Sequence, residues 1–135
     1  MSLIKWNDKM SVKVEEIDIQ HKKLVDLLNA LHEAMLNRQS KEALGKIISE
    51  LVNYAAVHFK TEEKYFDQFG YPETEEHKKE HKDFVEKVLD FQKGYEEGRL
   101  MLSMDILNFL KDWLYNHIMG SDQKYSNFFN RHGLH

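Results

Sequence analysis

His58 and Glu62 lie four residues apart in a segment whose apolar residues recur at helical spacing. On an α-helix, residues i and i+4 share a face, one turn apart. Leu44, Ile48, Leu51 and Ala55 lead into that face, and Tyr65 or Phe66 continues it. The spacing therefore sends an imidazole and a carboxylate to where a core should form. A carboxylate buried without a partner is very costly. The fold has to supply a compensating group, and a cation is the simplest one.

The remaining stripes arrange themselves around this segment. Ile17, His21, Leu24, Leu28, Leu31 and Met35 predict a first helix, with Asp18 as its N-cap and its end near Asn37 to Gln39. Residues 1–17, which include Trp6 and have no strong period, predict an arm lying on the helices. The second helix runs from Ser40, its N-cap, to about Phe69, where Gly70 closes it. Pro72 predicts the first turn of a third helix, whose stripe is His77, His81, Phe84, Val88 and Phe91. Residues 93–99 predict the next connection. A fourth helix starts between Met101 and Ser103 and carries Leu102, Ile106, Phe109 or Leu110, Trp113 and His117. Gly120 and Ser121 interrupt it ahead of Asp122, and Arg131 to His135 are expected to fray. These elements predict an all-α, up-down-up-down antiparallel four-helix bundle within one domain. The arm covers 1–17, the bundle 18–122 and a short C-terminal helical segment 123–135.

Composition narrows the chemistry. The chain has no cysteine, which excludes disulfides, thiolate nucleophiles and cysteine-type zinc sites. A formal net charge of −4 gives no electrostatic case for nucleic acid. No apolar run approaches membrane-spanning length and the N-terminus lacks an apolar signal region, so a cytoplasmic location is expected, with no membrane partner.

Every stripe carries a ligand-type residue: His21 on the first, His58 and Glu62 on the second, His77 and His81 on the third, His117 on the fourth. One histidine on an apolar stripe is usually a hydrogen-bonded core residue, and His77 with His81 could be a solvated face beside Lys78, Lys79 and Lys82. All of them together would need separate partners for five buried imidazoles and an acid, so a metal site is the simpler reading. Asp122 is five residues beyond His117, about 140° round a regular helix. It reaches the same centre only if the helix widens or breaks, which Gly120 and Ser121 permit. His32, His132 and His135 fall off the stripes. Five imidazoles, two bridging carboxylates and a bridging oxygen would fill all but one position of two octahedral ions. Such a mixed N/O set suits iron or manganese better than tetrahedral zinc. No further Asp or Glu falls on the inward stripes near these residues. Phe59, beside His58, Leu24, one turn from His21, and Trp113, Leu114 and Ile118, around His117, are expected to line the open position with apolar surface.

With these residues in view, the chain resembles the hemerythrin family, and in particular its single-domain bacterial members. The resemblance rests on His21, His58-x-x-x-Glu62, His77-x-x-x-His81 and His117-x-x-x-x-Asp122, with the flanking segments 18–22 and 113–118. It implies a non-haem di-iron centre, oxo- or hydroxo-bridged. His77, His81 and His117 would bind the saturated iron, His21 and His58 the iron with an open position, and Glu62 and Asp122 both. The implied function is reversible dioxygen binding for carriage or storage, with dioxygen held as hydroperoxide on the iron of His21 and His58, and no enzymatic turnover. The alternatives on the same centre are oxygen or redox sensing and detoxification of nitric oxide or peroxide. A protein recipient of oxygen or signal is a conceivable further partner.

Overall fold

Helices occupy most of the chain because long apolar stripes run between few helix breakers. The computed structural model describes residues 3–135, so Met1 and Ser2 of the expected arm lie outside the described residues. Four long stretches form the bundle: α1 Glu15–Leu36, α2 Lys41–Phe69, α3 Thr74–Glu96 and α4 Met104–Asn116. A π turn, His117–Ser121, joins α4 directly to α5, Asp122–Arg131. Among the described residues there is no strand, and no helix is long and apolar enough to cross a membrane.

The caps explain the boundaries. Ser40 and Ser103 accept hydrogen bonds from the amides of Ala43 and Ile106, which opens α2 and α4. Gly70 closes α2 at φ 68°, a left-handed conformation costly for side chains with a Cβ. Asp18 does not cap α1, which begins at Glu15. Its carboxylate instead accepts from the Ser11 hydroxyl at 2.5 Å and the Val12 amide at 2.8 Å, so it fastens the arm. Pro72 stands in the turn before α3 rather than in its first turn.

The connection after α3 also differs from expectation. Lys93 and Gly94 remain helical, and the link begins at Glu97. Gly94 is there for close approach: a Cβ on it would lie 2.5 Å from Leu100 Cδ1. Of the expected fourth stripe, Leu110 and His117 are buried, Ile106 and Trp113 are half-buried beside the buried Leu107 and Leu114, and Leu102 precedes the helix, which starts at Met104. The helix is apolar on so wide a face that spacing alone did not fix its phase.

Two apolar clusters result. The larger one, around Leu28, Leu51, Phe59, Val88 and Leu107, fills the bundle. The smaller joins Val12, Val14 and Ile17 to Phe66, Tyr71, Tyr125 and Phe129 at the other end. The arm is tied to α5 by Ser126 Oγ, which donates to the Val12 carbonyl at 2.6 Å, and by Asn130 Nδ2, which donates to that of Lys13 at 3.0 Å. The end of the chain is held too: the Leu134 amide donates to the Phe129 carbonyl at 2.9 Å, against the expectation that residues beyond Arg131 fray.

Gly94→Val should crowd Leu100 and lower stability by about 1–3 kcal/mol through overpacking. Denaturant unfolding of the two proteins checks this.

Candidate metal centre

Between the two apolar clusters lies a layer of polar side chains. His21, His58, Glu62, His77, His81, His117 and Asp122 are all buried, with His21, Glu62 and Asp122 at 0 % exposure. α1 contributes His21, α2 His58 and Glu62, and α3 His77 and His81. His117 opens the π turn and Asp122 follows it. That wider turn takes up the extra residue between the last two, so both face inward. The structure thus brings together all seven residues singled out from the sequence.

Their ligand-type atoms face one another. Asp122 Oδ1 is 2.9 Å from His77 Nε2 and 3.0 Å from His117 Nε2, and Asp122 Oδ2 is 2.9 Å from His21 Nε2. Glu62 Oε1 is 3.1 Å from His58 Nε2 and 3.2 Å from His81 Nε2. Two sets could each hold a metal ion: Glu62 with His77, His81 and His117, and Glu62 with His21, His58 and Asp122, all ligand atoms of a set lying within 4.8 Å of one another. Six of these atoms make no hydrogen bond: Nε2 of His21, His58 and His77, Glu62 Oε1 and both oxygens of Asp122. Buried polar atoms are rarely left so, and a cation satisfies them all at once. Imidazole and carboxylate donors suit a first-row transition metal.

The electrostatics agree with a site built for positive charge. Burial works against the Glu62 charge, yet His58, His117 and His81 hold its carboxyl well below the usual range. Asp122 is depressed as well, burial and Glu62 being outweighed by His117 and His21. Burial disfavours the His117 cation, but Asp122, Glu62 and Glu80 push its pKa well up. For His21, burial and the neighbouring His58 win, and its pKa is lowered.

Several contacts were not legible from the stripes. Tyr125, fully buried, donates its hydroxyl to Glu62 Oε2, and burial followed by Asp122 and Glu62 pushes its pKa far up. Gln20 Oε1 accepts from His58 Nδ1 at 2.8 Å, Glu63 Oε2 from His81 Nδ1 at 2.9 Å, and Glu80 Oε2 from His117 Nδ1 at 3.2 Å. The hydrogen bond to His117 lowers Glu80 to about 2. Glu63 and Glu80 thus stand behind the imidazoles, on the outer side of the cluster.

On the larger-core side of the layer is an apolar cavity of about 30 Å³. Leu24, Phe59, Trp113 and Leu114 are among its walls, with Phe84 and Val88 of α3. Ile118 is fully buried in the same core but is not part of the cavity wall. Phe59 stacks on His81 at 3.9 Å between ring centroids, and Trp113 on His117 at 4.5 Å.

Fold and site together define a metal-binding four-helix bundle. The model of the family described as the hemerythrin HHE cation binding domain matches residues 12–128. A bacteriohemerythrin of Stenotrophomonas maltophilia is 35% identical over 126 residues, covering 93% of this chain and 81% of its own. One of Methylococcus capsulatus is 34% identical over 126 residues, covering 93% and 95%. The crystal structure of a wild-type hemerythrin superposes with a TM-score of 0.89 at 32% identity, covering 93% of this chain and 97% of that one. The chain belongs to the hemerythrin family.

Tyr125→Phe removes the donor to a buried carboxylate. It should lower the stability of the metal-free protein by about 1.5–3 kcal/mol, the scale of a hydrogen bond to a charged group. Denaturant unfolding with an unchanged m-value would register it.

Proposed function

We propose that this chain binds dioxygen reversibly, as a carrier or store, at two iron ions. The observation that carries the reading is the convergence of seven ligand-type side chains in two sets sharing Glu62, with an apolar cavity behind Phe59 and Trp113, which stack on His81 and His117. In this reading His77, His81 and His117 would hold one iron and His21 and His58 the other, with Glu62 and Asp122 available to both. When bound, the iron pair supplies the reducing electrons and an open coordination position for the gas.

The protein's own part is to hold, orient and exclude. Phe59 and Trp113, stacked on His81 and His117, keep those ring planes fixed. Leu24, Phe59, Trp113 and Leu114 present carbon surface to the cavity, and none of them is a general acid or base at neutral pH. A cavity of about 30 Å³ has room for a diatomic molecule. Its dry wall favours binding and release over proton-driven turnover. Glu63 and Glu80 touch the outer nitrogens of their imidazoles, so they place no proton donor at the cavity. The similarity to bacteriohemerythrins supports the same reading.

Ferrous-loaded protein, followed by visible absorption as it is aerated and then purged, tests this directly. Bands that appear in air and vanish on purging are expected. Immediate conversion to an oxidised form whose spectrum does not revert on purging, with no reversible bands before it, would support sensing or detoxification instead, with nitric oxide and peroxide as the next ligands to try. His77→Ala should leave the protein well short of two irons per chain by metal analysis, and full loading of that variant would overturn the assignment. Leu114→Ala should keep its iron but oxidise irreversibly faster in air, because water gains entry. An unchanged rate would remove Leu114 from the wall that matters.

A further inference from the structure

The three hydrogen bonds behind the imidazoles follow a rule of their own. Gln20 precedes His21 on α1 but serves His58 on α2. Glu63 follows Glu62 on α2 but serves His81 on α3. Glu80 precedes His81 on α3 but serves His117 at the end of α4. Each helix thus supports an inward side chain of the next one from a position beside its own inward residue. The circuit does not close: Nδ1 of His21, on α1, is buried and makes no hydrogen bond.

The circuit is also unequal in charge. His81 and His117, which belong to one set, rest on carboxylates. Their companion His77 is flanked by the Phe66 ring at 4.7 Å and the Tyr125 ring at 5.7 Å. In the other set His58 rests on a neutral amide, whose Nε2 donates to Thr61 Oγ1 at 3.1 Å and so fixes Oε1 toward the ring. A carboxylate behind a ligating imidazole fixes the ring and increases its basicity as a donor. An amide fixes the ring and adds much less.

We propose that Glu63 and Glu80 are positioning residues whose charge makes the His77–His81–His117 half the tighter metal subsite, so that this half fills first and the His21–His58 half empties first. The inference rests on the ligand assignment proposed above and adds an order to it. Three imidazoles against two favour the same order, so the contribution of the charges is read from variants of residues that are not ligands.

Anaerobic titration of metal-free protein with cobalt(II), followed through its d–d absorption, tests the order in a readout independent of dioxygen. Wild type should fill in two phases, and His77→Ala should lose the tighter one. Glu63→Gln and Glu80→Gln keep a hydrogen-bond acceptor and remove the charge. Each should weaken the tighter phase by about 10- to 100-fold and leave the weaker phase in place. Gln20→Glu should tighten the weaker phase. Thermal unfolding of the metal-free variants, expected to match wild type, separates a positioning effect from a folding defect. Two phases that ignore both glutamate variants would overturn the proposal while leaving the two-metal reading intact. A wild type that takes up fewer than two metal ions would overturn both.

Discussion

Two fully buried carboxylates, Glu62 and Asp122, set the terms for this molecule. Neither can stay ionised in an apolar interior without positive charge nearby. Five imidazoles from four directions meet that demand only if every helix turns its histidine face to the same point. The phase of each helix is therefore fixed by electrostatics as much as by apolar packing. Hydrophobic burial still holds the helices together. Leucine and phenylalanine tolerate a small rotation, whereas a lone-pair atom 3 Å from its neighbour does not.

The π turn is the most specific consequence. A regular helix would carry Asp122 far round from His117, yet both side chains meet at 3.0 Å. Widening one turn resolves the conflict without ending the helical backbone, and α5 delivers Tyr125 and Phe129 to the smaller core. Tyr125 then returns a hydrogen bond to Glu62, so the inserted residue couples the two carboxylates through the helix that carries one of them.

Much of this could be read from the amino-acid sequence, for a physical reason. His58 with Glu62, and His77 with His81, repeat at four, the spacing that defines a helix face, so their convergence follows from periodicity. Asp122 needed the extra observation of Gly120 and Ser121. Along α4 the phase is legible only in part: Leu110 and His117 are buried as expected, but Ile106, Leu107, Phe109 and Leu110 are all apolar and leave the period ambiguous. Gln20, Glu63 and Glu80 were out of reach for a different reason. Each lies a residue away from an inward position, about 100° round the helix, and its partner sits on the next helix. Recognising them requires the order of the helices around the bundle, which stripes do not encode. Asp18 was assigned a helix-capping role from local spacing, whereas its true partners, Ser11 and Val12, belong to the arm.

The polar layer divides the interior into two separate apolar bodies, one filling the long bundle and one under the arm and α5. Apolar contact is non-directional and binds each body internally, whereas within the layer the contacts are directional ones between imidazoles and carboxylates, a charged environment suited to a cation. The arm contributes to both bodies, Ile4 and Met10 to the larger and Val12 and Val14 to the smaller. α1 and α2 run unbroken through both, with Ile17 and Phe66 in one and Leu24 and Phe59 in the other, so the layer interrupts the packing and not the helices. Val12 and Val14 of the arm and Phe129 of α5 meet this layer from one side, and Tyr125 of α5 is joined to Glu62 of α2 across its edge.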